Sequence, residues 1–283
     1  MSAARVSPPH RHCSISEIRS RKPVVDERSP GRLMKGIVLA GGTGSRLAPV
    51  SRVTNKHLLP IGNQPMICHA IDALVGAGIS EIMLVTGGTH VGEFFRLFGS
   101  GRDHGVDLLT YAYQEKPGGI AEALSLTEHF ADGGPIAVLL GDNLFEYSLK
   151  SVVDQFGADP TGAMVVLTEV KDEHHLQHLG VVEFDGDRIA RVVEKPANPP
   201  SAYAATGLYL YDSTVFDIIK NLQPSARGEL EISDVNNHYI DRGELEYTVL
   251  TGFWGDAGES IDAYYAVNDF VRTHGVNKPR DNT

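Results

Sequence analysis

The stretch "LAGGTGSRLAPV" (residues 39–50) gathers Gly41, Gly42, Thr43, Gly44 and Ser45 into one short run, directly after the apolar "GIVLA" and directly before Arg46. Backbone stripped of side chains can turn its N–H groups inward and approach an anion closely, and such concavities favour phosphate. A guanidinium at the end of the loop suits the same ligand, because its planar fork binds phosphate oxygens in pairs. A dinucleotide fingerprint would need glycine at the sixth position, where Arg46 stands, and a Walker loop would need a terminal G-K-[ST]. The run therefore reads as a phosphate cradle of another kind, or as a plain glycine turn. Lys56, ten residues on in "TNKHLLP", adds a second cation if the loop folds back.

Carboxylates supply the other half of the chemistry. "LLGDN" closes an apolar run with Asp142, and "FWGDAGES" sets Asp256 two residues after the single tryptophan. Each is either a surface turn residue or a ligand for a hard cation, and Mg2+ takes one or two protein carboxylates together with substrate phosphates. "RVVEKP" places Glu194 and Lys195 on opposite faces of a strand end, before a proline that stops it. The pair is a solvated terminus, or a lysine for phosphate beside a glutamate for sugar hydroxyls. "PSARGELEISDVN" adds Arg227 just before a helix, with Glu229 and Glu231 expected in its first turn, where they favour the helix dipole. His174, His175 and His178 have no companion ligand cluster and read as a solvated loop. Neither a G-x-S-x-G elbow nor a reactive-cysteine context is present, so covalent catalysis is not favoured.

Positioning these groups requires a sheet. From Lys35 onward short apolar runs alternate with amphipathic stretches, the pattern of βα units on a parallel sheet. Strands are expected at 36–40, 81–85, 107–113 and 136–142, and helices at 66–78, 91–99 and 119–130. Beyond about residue 160 the chain turns β-rich: strands at 162–170, a hairpin over 180–196 that turns at "DGD", and a strand at 202–212. Helices at 213–222 and 229–242, a strand at 245–251 and a closing helix at 258–273 complete the reading. The expected fold class is α/β, a Rossmann-like mixed and mainly parallel sheet flanked by helices, with an inserted β-rich part. Such sheets bind ligands at the carboxyl ends of their strands, where the glycine loop, "GDN" and "EKP" all fall.

Bulk properties narrow the function classes. The 283 residues carry a net charge of −11, yet residues 1–33 hold seven Lys/Arg against three Asp/Glu, which leaves 18 against 33 for the remainder. So acidic a body argues against general nucleic-acid binding, which rests on neutralising phosphates. No apolar run approaches a membrane span. With Cys13 and Cys68 as the two cysteines, a disulfide framework is not expected and a cytoplasmic setting is. Residues 1–33 read as a disordered basic tail, 34–273 as the working domain and 274–283 as a polar C-terminal tail.

Taken in order, the glycine loop, "GDN", "EKP", "PSARGELEI" and W-x-D resemble the sugar-nucleotide pyrophosphorylases, and within them the thymidylyltransferase branch, from about Met34 to Phe270. The resemblance implies exchange between a nucleoside triphosphate and a sugar 1-phosphate, most simply dTTP (or UTP) with glucose 1-phosphate, in a homo-oligomer. By similarity, Leu39, Ala40, Gly41, Gly42, Thr43, Gly44, Ser45 and Arg46 wrap the triphosphate, with Lys56 beside it. Gln114 pairs with N3–H and O4 of thymine or uracil, and Gly119 lies beneath the ring. Asp142 and Asp256 look like the Mg2+ carboxylates. Asn143, Gly180, Glu194, Lys195, Thr206, Gly207 and Arg227 hold the sugar phosphate. Two departures fall in this environment: His57 stands where the branch has Gln, and Leu179 where it has Tyr. The chain also ends at Thr283 without the extra helical sequence of longer members, which bears on the expected oligomer. A UTP-using relative and a catalytically silent sugar-nucleotide sensor are the competing readings, and an NAD-dependent oxidoreductase is disfavoured by Arg46.

Overall fold

A computed structural model describes residues 33–42 and 44–280. The tail assigned to residues 1–33 therefore lies outside the described residues apart from Leu33, as does Thr43. The strands are β1 (Lys35–Ala40), β2 (Pro60–Ile61), β3 (Gln64–Pro65), β4 (Glu81–Gly87), β5 (Leu108–Gln114), β6 (Ile136–Leu140), β7 (Asn143–Phe145), β8 (Ala163–Glu169), β9 (Gly180–Asp185), β10 (Arg188–Glu194), β11 (Tyr203–Tyr211), β12 (Leu245–Val249) and β13 (Trp254–Asp256). The helices are α1 (Met66–Gly76), α2 (Val91–Phe98), α3 (Ile120–Ser125), α4 (Glu128–Ala131), α5 (Lys150–Ala158), α6 (Glu173–Leu176), α7 (Val215–Asn221), α8 (Ile232–Arg242) and α9 (Ile261–His274).

The main sheet runs β10-β9-β11-β6-β1-β4-β5, with β8 on β11 and β12 on β8. Its β6-β1-β4-β5 portion is parallel throughout, and β11 joins it antiparallel. This is the Rossmann-like mixed sheet expected from the alternation. Period-two side chains split the core between the faces: Val38, Leu84 and Leu139 pack with α1, α2 and α5, while Ile37, Leu39, Val85 and Val138 pack with α3, α4, α7 and α8.

One irregularity opens the cleft. Residues 208–211 of β11 pair with β6, but Ala204 pairs with Val181 of β9, and the pairing with β8 shifts register between Ala205 and Tyr209. Thr206 and Gly207 sit where β11 leaves one neighbour and joins the other. The strands part there, at the carboxyl end of β6.

Several expected boundaries move. The fourth long strand stops at Leu140, and Asp142 belongs to a turn whose Gly141 N–H donates to Leu39 O at 2.9 Å. The single helix expected over 119–130 is two, because the Thr127 hydroxyl donates to Leu124 O at 2.8 Å at the break. The helix expected at 229 begins at Ile232. Glu231 is extended at its N-cap, and Leu230 is held to the α3 entry by Leu230 N to Gly118 O at 2.8 Å. Neither glutamate therefore lies in the first turn. Residues 275–278, expected in the polar tail, return onto the β7 segment: Asn277 N donates to Phe145 O and Ser148 N to Lys278 O, at 2.9 and 2.8 Å.

Candidate active site

A cleft of about 310 Å³ lies along the carboxyl ends of β1, β5 and β6 and beneath the β9–β10 hairpin. Leu39, Gly41, Gly42, Arg46, Lys56, Gln114, Gly119, Asp142, Asn143, Gly180, Glu194, Lys195, Thr206, Gly207, Arg227 and Asp256 all border it. Ala40, Gly44 and Ser45 do not. Ala40 is fully buried in the core. Gly44 works from behind the loop: its φ of +62° is left-handed, and a Cβ there would come within 3.1 Å of Lys56 Cβ and 3.3 Å of Ser51 Cβ. The loop is thus pressed onto the Lys56 stem, with Ser51 Oγ donating to Gly44 O at 2.7 Å and Leu47 buried as its anchor.

At the centre stand two buried carboxylates and a lysine. The antiparallel pairing of β13 with β7 sets Asp256 opposite Asn143, which brings it next to Asp142. Lys56 Nζ forms an ion pair with Asp142 Oδ2. Burial by itself would raise the Asp142 pKa more than any single neighbour lowers it, but the Lys56 and His57 charges and the hydrogen bonds from Lys56 and Asn143 together outweigh it and hold that carboxyl well below the usual range. Asp256 has no such partner, and burial together with the Asp142 charge pushes it up to about 7. Burial works against the Lys56 charge as well, yet Asp142 and Asp256 together raise its pKa. Lys56 was expected at the phosphates; here it neutralises Asp142. Gly258 makes this closeness feasible, since a Cβ there would strike Asp142 Oδ2 and Lys56 Nζ.

Among the described residues no group of three or more His, Cys, Asp or Glu is arranged to hold a metal alone. Two adjacent hard carboxylates, one of them pushed up to about 7 by burial and by the charge of the other, do suit a dication that draws its other ligands from phosphate. The donor set fits Mg2+.

Asn143 organises the surroundings. Its Oδ1 accepts from Trp254 Nε1 at 2.7 Å and Gly207 N at 2.9 Å, and its Nδ2 donates to Asp142 Oδ1 at 3.1 Å. A side chain at Gly207 would collide with this amide at 2.6 Å. On the far wall, Arg227 bonds Glu231 through Nε and Nη2 at 3.2 and 2.7 Å and reaches Glu194 Oε1 at 3.4 Å. Lys195 Nζ lies 3.5 Å from that same Glu194 oxygen. Glu194 and Lys195 were expected on opposite faces. The strand ends at Glu194, and Lys195 adopts φ +45°, a left-handed turn that swings its ammonium back beside the glutamate. Glu231, expected to serve the helix dipole, is instead the principal partner of Arg227.

Of the three histidines expected to be solvated, His174 and His178 are exposed and His175 is not. His175 lies 2.7 Å from Glu259 and stacks on Trp254, with ring centroids 6.2 Å apart and planes 11° apart. The bond to Glu259 raises its pKa. His178 and Leu179 border the cleft. The local sequence around His175 carries no sign of this, because its partners Trp254 and Glu259 lie about 80 residues away. His57 is 2% exposed and accepts no solvent; burial and the Lys56 charge hold its pKa down to about 3. Cys68 is inert, its thiol pushed up to about 12 by burial, while Cys13 lies outside the described residues.

Known proteins resemble this chain in sequence and fold. A glucose-1-phosphate thymidylyltransferase of Actinoplanes sp. is 44% identical over 242 residues, covering 84% of this chain and 78% of its own. The enzyme of the same name from Neisseria meningitidis is 41% identical over 244 residues, covering 85% and 83%. A crystal structure of a candidate glucose-1-phosphate thymidylyltransferase from Bacillus anthracis, with sucrose bound, superimposes with a TM-score of 0.80 at 47% identity, over 85% of this chain and 96% of that one. A UDP-glucose pyrophosphorylase, at 23% identity and a TM-score of 0.72, shares the fold. The Nucleotidyl transferase family profile matches residues 35–274, and the chain belongs to that family.

Proposed function

We propose that this protein transfers a thymidylyl group from dTTP to glucose 1-phosphate, giving dTDP-glucose and pyrophosphate. The observation that carries the reading is the division of one cleft into a glycine-lined wall ending in Arg46 and a wall with Lys195 and Arg227, separated by Asp142 and Asp256. Relatives of that name, at about two-fifths identity over most of the chain, supply the substrate pair.

A sugar-phosphate oxygen attacks the α-phosphorus of dTTP, and the bond from that phosphorus to the oxygen bridging to the β-phosphate breaks. The attacking oxygen is already anionic and pyrophosphate is already a good leaving group, so alignment and charge stabilisation suffice without a general base. Lys195 and Arg227 hold the incoming phosphate. Arg46 and the Gly41–Gly42 backbone hold the departing pyrophosphate. Lys56 keeps Asp142 ionised and adds positive charge at the centre of the cleft. Asp142 and Asp256 would hold Mg2+, whose charge would screen the repulsion between the two anions that must meet. In this reading the protein acts in the cytoplasm as a homo-oligomer on small soluble substrates; among the described residues no helix is long and apolar enough to cross a membrane.

The test is pyrophosphate release by the purified protein with Mg2+, across dTTP, UTP, CTP, ATP and GTP against several sugar phosphates. A dominant signal for dTTP with glucose 1-phosphate supports the reading. A dominant UTP signal replaces dTTP, and silence from protein that still binds nucleotide moves it to the sensor class.

A further inference from the structure

Gln114 closes β5 at 6% exposure. Its Nε2 donates to Glu122 Oε2, and to Gly119 O at 3.3 Å. A carboxamide has two N–H groups and one carbonyl. Both N–H groups are therefore used inside the protein. Turning the amide over would set its oxygen against a carboxylate and a carbonyl, neither of which donates. Oε1, which accepts no hydrogen bond among the described residues, lies against Gly41, where an added Cβ would collide with it, and both residues border the cleft. Gln114 thus presents an acceptor and no donor, which removes the expected second bond from its nitrogen to O4.

Glu122 does not border the cleft. It sits half-buried on α3, backed by Gly118, where a Cβ would come within 3.0 Å of Glu122 Cγ. Its contact with the site passes through Gln114.

We infer that Glu122 is a positioning residue that sets base selectivity in the nucleotide subsite by fixing which end of the Gln114 amide faces the ligand. This rests on the proposed placement of a nucleotide base beside Gln114. Locked this way, Gln114 accepts from the ring N3–H of thymine or uracil and opposes N3 of cytosine, which is itself an acceptor. A site whose buried polar group is left unpaired rejects the analogue that leaves it so. Thymine and uracil are alike at this atom, so the device separates them from cytosine and not from each other.

The experiment measures dissociation constants of dTTP, UTP and CTP by calorimetry on the full chain with Mg2+, for the unmutated protein, Glu122→Met and Glu122→Gln, with turnover recorded separately. The unmutated protein binds dTTP and UTP more tightly than CTP. Glu122→Met frees the amide to turn, and the dTTP-to-CTP preference falls by roughly tenfold, chiefly through tighter CTP binding, with KM for glucose 1-phosphate unchanged. Glu122→Gln, whose side-chain oxygen still accepts, restores the preference. A structural role alone would weaken all three nucleotides together. The same preference in Glu122→Met as in the unmutated protein, or no preference in the unmutated protein, overturns the inference. Absence of turnover with every sugar phosphate alongside the expected shift in binding would sink the proposed reaction and leave the role of Glu122 supported.

Discussion

The wall of the cleft proposed for the nucleotide is bordered by the glycines Gly41, Gly42 and Gly119, whereas the wall proposed for the sugar phosphate carries charged side chains already bonded to one another. The first wall is preorganised by backbone conformation and by Gly44 wedged on Lys56. The second is preorganised by a network in which Glu231 holds Arg227 and Glu194 gathers Arg227 with Lys195. A backbone cradle tolerates loss of a distant side chain. An ion network does not, because removing one member leaves the others uncompensated in a partly desolvated site.

The largest expected effect is at the boundary between the walls. Asp142→Asn removes the charge that Lys56 neutralises and one of the two proposed Mg2+ carboxylates; kcat should fall by roughly 10³-fold in a pyrophosphate-release assay. A loss under tenfold would mean that Asp142 does not stand at the reacting phosphates. Lys195→Ala tests the asymmetry directly. It should raise KM for glucose 1-phosphate by about 10- to 100-fold with dTTP affinity near that of the unmutated protein, and weakened dTTP binding would move Lys195 to the opposite wall.

A smaller change is expected at the segment that brings His178 and Leu179 to the cleft edge. Glu259→Ala removes the contact tying His175 and α6 to the loop before α9, so that His178 and Leu179 are held less firmly. KM for glucose 1-phosphate should rise about two- to fivefold, in keeping with a partly shielded ion pair, while dTTP is unaffected. Equal effects on both substrates would show that the segment serves the whole cleft.

The last expected effect is on stability alone. His57 is kept neutral in the fold with a pKa of about 3, below its ordinary 6.5. The unfolded chain therefore binds a proton that the native one refuses as pH falls from about 6.5 toward 3, and stability declines across that window. His57→Gln lacks this term, so its Tm should fall less between pH 7 and pH 5. Parallel Tm profiles for the two proteins would assign the acid sensitivity elsewhere.

Much of this was legible in the chain. The cradle, "GDN" and "EKP" each stand at a strand end, and strand ends follow from apolar periodicity, whereas W-x-D forms β13, a strand that the periodicity does not mark. The errors share a cause. Lys195 turned back on Glu194 through a left-handed backbone that no local signal marks in a lysine, and Glu231 faced Arg227 because Leu230 was captured by the α3 entry rather than by helix α8. His175 read as solvated because Glu259 and Trp254 are remote in sequence.

The sequence alone determined the elements and the kinds of group available: where apolar runs make buried strands, where glycines release the backbone, and which carboxylates and cations flank them, since these depend on neighbours within a few residues. Tertiary structure alone decided which groups meet. The pairing of β13 with β7 joined Asp256 to Asp142, the transfer of β11 from β6 to β9 opened the cleft, and the packing of α3 against β5 set Glu122 behind Gln114. Charge and hydrogen bonding act over a few ångströms, and it is the chain's return, not its order, that brings such groups within reach.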